Sequence, residues 1–278
     1  MGKKASKEGK IRESIVDGIF YPSESKELGS LLEKLINGTK KVKGDAFAII
    51  TPHAGYSYAG DLLASAFVSA MDRNIENIII IAPVHNYSSS GIYLPESKFF
   101  LTPLGSILVN QELVQELLSC STKILSMDIP HLEEHCIELQ LPFIRYIFPN
   151  ASIVPVLLGD PSIQNIKILS NALQLTFSPI YNKTLFVITA NMTAHINKEE
   201  ADKETLLLLD NIREKKWQEI ANLKKNNNIS SCGAGCISTI LSFNLDYKIK
   251  VLKQGSSGVQ GLNKKKVVNY AAISLYRE

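Results

Sequence analysis

Three of the five histidines in this 278-residue sequence come soon after short apolar runs that predict buried strands. His53 and His85 each stand three residues after such a run, and His195 ends the segment that follows a third run. The carboxyl ends of parallel strands form ligand sites in α/β sheets, and imidazole nitrogens suit transition metals. A single histidine is equally well explained as a loop residue held by a hydrogen bond. The three together favour a metal-binding or catalytic site.

Cys232 is a second candidate for metal or covalent chemistry. It stands in Ser231-Cys-Gly-Ala-Gly-Cys236, where glycines open a predicted helix. The positive end of a helix dipole lowers the pKa of a thiol, and the resulting thiolate is either a metal ligand or a nucleophile. The alternative is a small buried apolar residue, which is the interpretation we prefer for Cys120, Cys136 and Cys236.

Glu134 and His135 lie on a helix that the apolar spacing predicts over residues 131–148. Together with His131 and Glu138 they form a polar side of that helix. The pair resembles half of the H-E-x-x-H metalloprotease motif, whose second histidine is missing here. A solvated polar helix face explains the same residues.

The elements that must position these side chains alternate along the chain. Apolar runs predict strands at 46–50, 77–82, 152–158 and 184–188. The other predicted elements are a helix ending at Gly38, a helix over 61–71, a helix capped by Asn110, a helix capped by Asp160-Pro161, a charged helix over 203–224, a helix over 231–243, and strands at 247–252 and 267–275.

This order predicts an α/β protein with three layers, α/β/α, around a mainly parallel central sheet. No linker interrupts the pattern, so we expect one domain over residues 13–278, preceded by a flexible basic tail over residues 1–12.

Composition argues against several function classes. The net charge of +3 comes from dispersed lysines and arginines, which predicts no nucleic-acid partner. No apolar stretch is long enough to cross a bilayer, and the basic N-terminus lacks the apolar segment of a secretory signal. We therefore expect a cytoplasmic protein without a membrane partner. The four cysteines lack the paired C-x-x-C spacing of a structural zinc site.

Four ordered motifs resemble those of one protein family. They are Thr51-Pro-His-Ala-Gly-Tyr-Ser-Tyr-Ala-Gly60, Pro83-Val-His85, Glu134-His-Cys-Ile-Glu-Leu-Gln-Leu-Pro-Phe143 and Cys232-Gly-Ala-Gly235. On these residues the sequence resembles the Memo family, which includes the AmmeMemoRadiSam system protein B members. The resemblance extends from Phe20 to Ala272, and it implies a fold like that of the class III extradiol dioxygenases.

The resemblance also implies one transition metal ion, bound by His53, His85 and Cys232. In the dioxygenases a carboxylate stands where this chain has the thiol. A thiolate favours softer metals, so iron or copper is favoured, zinc is an alternative, and dioxygen activation is not assumed. His135 and Glu134 are expected beside the metal as acid or base groups.

The segment after the third apolar run departs from the family pattern. Family members commonly read S-S-D-x-S-H there, whereas this chain has Thr189-Ala-Asn-Met-Thr-Ala-His195. Asn191 takes the aspartate position and Ala194 the histidine position. An amide does not titrate, so proton transfer from this segment depends on His195, the third acid or base candidate.

Three functions are compatible with this pattern. The first is redox or oxygen-dependent chemistry at a mononuclear metal site, on a small molecule or a protein partner, in a system that includes a radical enzyme. The second is a binding or adaptor protein that recognises a peptide or a modified protein in the same pocket, which Asn191 and Ala194 favour. The third is metal-assisted hydrolysis, which needs a metal-bound water and a base.

Overall fold

The computed structural model describes residues 10–42, 45–87, 90–259 and 265–277. Residues 1–9 of the predicted basic tail lie outside these ranges. Ile11–Arg12, at the end of the predicted tail, forms a short strand, and the Arg12 side chain is buried.

The strands β1 to β13 of the described residues are, in order, Ile11–Arg12, Asp45–Thr51, Asn77–Pro83, Ile92–Leu94, Phe99–Phe100, Ile107–Leu108, Ile124–Ser126, Ser152–Leu158, Thr184–Thr189, Ile196–Asn197, Lys248–Ser256, Lys266–Val267 and Asn269–Arg277. The helices α1 to α10 are Ser25–Asn37, Tyr56–Val68, Gln111–Cys120, Ile129–Glu133, His135–Glu138, Leu141–Ile147, Ile163–Phe177, Lys198–Arg213, Trp217–Lys225 and Ala234–Leu241. Two 3-10 helices span Ser178–Lys183 and Ser257–Val259. Within the described ranges, none of the helices is long and apolar enough to cross a membrane.

Eight strands form the central sheet, in the order β11-β13-β2-β9-β3-β8-β4-β7. Strands β2, β9, β3 and β8 run parallel to one another, and β4 is parallel to β7. Antiparallel pairs join β11 to β13, β13 to β2 and β4 to β8. The prediction of a mainly parallel central sheet is confirmed. Two small sheets, β1-β5-β6 and β10-β12, lie outside it.

Helices cover both faces of the central sheet. Helix α2 lies between β2 and β3, α7 lies between β8 and β9, and these two crossovers run in opposite directions along the sheet order. Since parallel crossovers are right-handed, α2 and α7 lie on opposite faces. Helix α1 packs on α2, and α10 packs on α7. The three-layer α/β/α prediction is therefore confirmed.

The central strands are apolar because both of their faces are covered. All seven residues of β3 are buried, and Ile78–Ile81 has no exposed surface. Burying one isoleucine side chain contributes about 1.5–3 kcal/mol, so these runs supply much of the core energy. The predicted strands at 46–50, 77–82, 152–158 and 184–188 are confirmed, with only the end residues differing.

The single helix predicted over residues 131–148 is wrong, since α4, α5 and α6 take its place. Glu134 has an extended backbone, with φ −96° and ψ 125°, and its carboxylate accepts a hydrogen bond from the Cys136 N–H at 3.0 Å. It therefore separates α4 from α5 and caps α5. Pro142 lies in the first turn of α6, where its missing N–H is tolerated.

The charged helix predicted over 203–224 is also two helices, α8 and α9. Lys215, between them, has a φ of 56°, in the left-handed region that ends a helix. Its Nζ donates to the Tyr247 carbonyl at 2.6 Å. Tyr247 directly precedes strand β11, so this contact holds the connection between α8 and α9 against the edge of the central sheet.

Two helix starts differ from their predicted positions. The cap of α7 is Ser162, whose hydroxyl accepts a hydrogen bond from the Asn165 N–H at 3.4 Å, rather than Asp160-Pro161. Helix α2 begins at Tyr56 rather than near residue 61, so it starts directly after the turn that carries the first candidate histidine.

Candidate metal centre

His53 lies just past the end of β2 and is 4% exposed. Its backbone N–H donates to Asn191 Oδ1 at 3.1 Å, and its ring Nδ1 lies 2.6 Å from Thr189 Oγ1. Both partners are brought there by the parallel pairing of β2 with β9, in which Thr51 is opposite Thr189. Because Nδ1 is bonded to the threonine, Nε2 is the ring nitrogen that faces Cys232 Sγ, 3.1 Å away.

Gln140 supports the turn that carries His53. Thr51 Oγ1 donates to Gln140 Oε1 at 2.7 Å, and Gln140 Nε2 donates to the Pro52 carbonyl at 3.0 Å. The Gln140 side chain is fully buried. A buried amide whose oxygen and nitrogen are both bonded holds this turn in one conformation.

Cys232 reaches the same sheet edge from the turn before α10. Gly233 makes the close approach possible, because a Cβ at this position would lie 2.2 Å from the Ala190 Cβ. Ser231 Oγ donates to the Asn191 carbonyl at 2.6 Å and fixes the turn against the segment after β9.

The pKa of the Cys232 thiol is held well below its usual range. Burial acts to raise this pKa, but the attraction of His53 and hydrogen bonds with His53, His85 and the Asn191 backbone outweigh it. The imidazoles thus act in the same direction as the helix-terminus effect predicted from the sequence, and both favour the thiolate form, which is the form that binds metals.

His85 follows β3 and is held by Glu134. The His85 N–H donates to Glu134 Oε2 at 2.8 Å, and the ring Nδ1 lies 3.2 Å from both carboxylate oxygens. Hydrogen bonds to Cys232 and to Glu134 raise the pKa of His85 to about 10, against burial, which lowers it. A carboxylate behind a histidine is the arrangement that orients metal-binding imidazoles and raises their basicity.

Glu134 is a buried anion surrounded by donors. Burial acts to raise its pKa, but hydrogen bonds from His135, His85 and Cys136 lower it well below the usual range. The break between α4 and α5 is what turns this carboxylate inward, where it is 2% exposed. The predicted alternative of a solvated helix face is therefore wrong for Glu134.

The Glu134 backbone is fixed as well as its carboxylate. Arg12 Nη2 donates to the Glu134 carbonyl at 2.9 Å, and Arg12 Nε donates to the His131 carbonyl at 3.1 Å. The same guanidinium forms a fully buried ion pair with Glu138. Breaking such a pair leaves an uncompensated buried charge, which costs about 3–5 kcal/mol. Strand β1 thereby stabilises the wall of the site.

His135 completes a cluster of three imidazoles. Its Nδ1 lies 3.2 Å from Glu134 Oε1. Its ring centroid is 5.8 Å from that of His53 and 5.5 Å from that of His85, and the latter two centroids are 5.4 Å apart. Phe20 packs on its other side, at 5.7 Å between ring centroids.

Two groups of potential ligand atoms lie here, each with its atoms within 4.8 Å of one another. The first is His53, His85 and Cys232. The second is His85, Glu134, His135 and Cys136. In the second group the carboxylate already accepts hydrogen bonds from two backbone N–H groups. The first group, two imidazoles and a thiolate, is therefore the candidate metal centre, and its ligand types suit iron, copper or zinc.

The structure brings five of the six predicted site residues together and leaves one apart. His195 is exposed, and its Nε2 lies 2.8 Å from the Lys266 carbonyl, beside the β10-β12 pair. It belongs to neither group of ligand atoms. Its role as an acid or base stays a prediction, and a change in this segment is needed to bring its ring to the others.

Three residues of the site were not predicted from the sequence: Thr189, Gln140 and Cys136. A hydroxyl at the end of an apolar strand was the available signal for Thr189. Cys136 is buried as expected, but its Sγ also lies 3.5 Å from His85 Nδ1 and 3.9 Å from His135 Nε2. Burial raises the pKa of the Cys136 thiol, and the negative charge of Glu134 raises it further. This thiol is therefore favoured in its protonated form.

A cavity of about 270 Å³ opens beside the candidate metal centre. Its lining consists of Pro83, Val84, His85, Leu158, Gly159, Pro161, Lys224, Cys232, Gly235 and Cys236. Two of the three candidate ligands therefore face a space that a small molecule can enter.

A model of the protein family described as Memo-like protein matches residues 12–274. The chain belongs to the Memo family. Relatives in this family include the MEMO1 family protein of Thermoplasma volcanium, which is 28% identical over 271 residues, covering 96% of this chain and 99% of that protein. Another, from Thermotoga neapolitana, is 28% identical over 277 residues, covering 95% of this chain and 99% of that protein.

The Memo family match confirms the family predicted from the motifs. The match begins at Arg12, which contacts the Glu134 backbone, and it ends within strand β13. It therefore covers nearly all of the described residues. A third relative, the MEMO1 family protein of Methanococcoides burtonii, is 28% identical over 269 residues, covering 95% of this chain and 99% of that protein.

Proposed function

We propose that this Memo-family protein holds one transition metal ion with His53, His85 and Cys232 and uses it in redox or oxygen-dependent chemistry on a small molecule. The observation that carries the proposal is the convergence of these ligand atoms within 4.8 Å of one another. Iron or copper is our first choice and zinc the alternative, because imidazole and thiolate together bind all three. When bound, iron or copper supplies one-electron redox chemistry.

The surrounding residues have different tasks in this proposal. Glu134 orients His85 and His135 and does not exchange protons, because its carboxylate is already bonded to His85, His135 and the Cys136 N–H. His135 is the acid or base, since its side chain is 26% exposed and its ring faces both histidine ligands.

Kinship with the class III extradiol dioxygenases is part of the proposal. Its support is the placement of the candidate ligands at the carboxyl ends of β2 and β3, in a mainly parallel sheet. Action beside a radical enzyme, as in an AmmeMemoRadiSam system, is proposed on the family resemblance alone.

A second candidate function is a binding protein that recognises a peptide or a modified protein in the same pocket. It is favoured by the segment after β9, where Asn191 accepts a hydrogen bond from the His53 N–H and the Ala194 N–H donates to Ser230 Oγ. This segment supplies structure to the site but no titratable side chain. A partner that binds wild type and His85→Ala equally would support this second function.

Metal analysis tests the first function. Protein purified without oxygen is expected to hold about one transition metal ion per chain, and His53→Ala and Cys232→Ser are expected to lose most of it. His195→Ala is the matched control, because it removes an imidazole outside the ligand group and should keep the metal. Folding of each variant is checked by circular dichroism. Equal metal content in wild type, His53→Ala and Cys232→Ser would overturn the proposal.

A further inference from the structure

The cavity beside the candidate metal centre contains one positively charged side chain that is not part of the ligand group. Its apolar lining residues include Pro83, Leu158 and Pro161, and Lys224 is the lysine in its lining. Lys224 lies in the last turn of α9 and is half-buried. A molecule in this cavity therefore contacts two of the candidate metal ligands, His85 and Cys232, and a lysine side chain.

A second cavity, of about 320 Å³, adjoins the first and shares Pro161 and Lys224 with it. Its other lining residues include Ser162 and Ile163, at the start of the 15-residue helix α7, and Lys225. The two cavities together have the size of a small-molecule site. Asp160 is the acidic residue in this lining, and its carboxylate accepts a hydrogen bond from Asn165 Nδ2 at 3.4 Å.

Lys224 Nζ has no hydrogen-bond or ion-pair partner among residues 10–42, 45–87, 90–259 and 265–277. A lysine in the last turn of a helix interacts favourably with the helix dipole, but Lys225, which is exposed at the same helix end, does so equally. The dipole therefore does not explain why Lys224, and not Lys225, lines the cavity beside the candidate metal centre. An ammonium group without a partner beside apolar walls is suited to bind an anionic group of a ligand.

We propose that the ligand of this site is a small molecule that carries a carboxylate or phosphate group, and that Lys224 binds this group while the rest of the molecule faces the metal. This inference rests on the proposed function, because it takes the metal to be present. It assigns Lys224 as a specificity-determining residue that discriminates in favour of anionic ligands.

The experiment compares two probes that share a metal-binding ring and differ in charge: imidazole-4-acetate and 4-methylimidazole. Their dissociation constants are measured by titration calorimetry on metal-loaded wild type and variants, after the metal content of each has been determined. Wild type is expected to bind the acetate about tenfold more tightly than 4-methylimidazole, which lacks the carboxylate, as for one hydrogen bond between charged groups. Imidazol-4-ylmethylphosphonate, in a third titration, distinguishes a preference for phosphate from one for carboxylate.

The variants test whether the preference for the anionic probe comes from the positive charge of Lys224. Lys224→Gln is expected to reduce the affinity ratio of the two probes to about one, and Lys224→Arg to retain most of it. Lys203→Gln, which removes a charge at an exposed position of α8 outside both cavities, is expected to keep the wild-type ratio. An unchanged ratio in Lys224→Gln, or no preference in wild type, would overturn the inference while the metal content still supports the proposed function. Wild type without metal would overturn the proposed function, and this inference with it, before any probe is added.

Discussion

The Glu134 carboxylate contacts both the backbone and the ring of His85. Glu134 Oε2 accepts a hydrogen bond from the His85 backbone N–H at 2.8 Å, and both carboxylate oxygens lie 3.2 Å from His85 Nδ1. The residue that connects α4 to α5 therefore fixes the position of the loop after β3 and the orientation of its imidazole. This contact links a local break in a helix to the geometry of the candidate metal centre.

Glu134→Gln is expected to weaken metal binding by about 10–100-fold, the range typical of partners behind a metal ligand. The amide keeps the shape of the side chain but loses the charge that makes His85 basic. Competition with a chelator of known affinity measures the change. Glu133→Gln, at the exposed neighbouring position, serves as the control and should bind metal as wild type does. An unchanged affinity in Glu134→Gln would show that this carboxylate has no influence on the metal.

Thr189→Val is expected to reduce metal affinity about tenfold or more, because it removes the oxygen 2.6 Å from His53 Nδ1 and leaves that buried nitrogen unpaired. Chelator competition again gives the affinity. The matched control is Thr184→Val, at the other end of β9, where the buried hydroxyl donates to the Ile180 carbonyl far from the ligands. Both variants lose one buried hydrogen bond. A role of Thr189 in orienting His53 is therefore supported only if Thr189→Val lowers the metal affinity more than Thr184→Val does.

Gly233→Ala is expected to lower stability by about 1–3 kcal/mol and to release the metal. The added Cβ would lie 2.8 Å from the Thr189 carbonyl as well as 2.2 Å from the Ala190 Cβ, so the turn that carries Cys232 must move. Denaturant unfolding and metal content are the measurements. Gly29→Ala, inside α1, is the control: a Cβ there meets nothing within 4 Å, and stability should rise by about 0.5–1 kcal/mol. Full metal content in Gly233→Ala would mean that Cys232 tolerates the shift.

His131 is expected to make stability depend on pH. Burial lowers its pKa to about 4, and its Nε2 lies 3.1 Å from the Tyr93 carbonyl. Because the folded pKa is below the unfolded value of about 6.5, the contribution of neutral His131 is complete above pH 6.5 and is lost as the pH falls through 4, by about 3 kcal/mol in total.

His131→Gln tests this dependence, since its amide can still donate to the carbonyl but does not titrate. The fall in unfolding free energy between pH 7 and pH 4 should be smaller in this variant than in wild type. His195→Gln, at an exposed position, should retain the wild-type dependence. Parallel stability profiles for wild type and His131→Gln would contradict the assignment.

Much of the fold was predictable because strands buried on both faces are continuous apolar runs. The runs ending at Ile50, Ala82 and Ile188 gave the central strands and placed His53 and His85 at their carboxyl ends. The helix break at Glu134 was missed because it comes from one polar side chain that caps the next helix. Apolar periodicity contains no information on that choice.

The residues of the candidate site were predictable, but the residues that hold them in position were not. Thr189 and Gln140 act through contacts with residues more than 80 positions away in sequence, which no local pattern reports. The orientation of His195 depends on the pairing of β10 with β12, two short strands about 70 residues apart. Such pairings are set by the assembled fold.

The Cys232 thiolate and the His53 ring lie 179 positions apart in the chain but 3.1 Å apart in the structure. During synthesis, both histidine ligands leave the ribosome long before the cysteine. A nascent chain that ends before residue 232 therefore lacks the thiol, and under the proposed function a metal captured that early would meet an incomplete ligand set. Under the proposed function, metal that binds after residue 232 has packed against the segment after β9 would stabilise the whole domain, so its removal is expected to lower the free energy of unfolding even for elements far from the site.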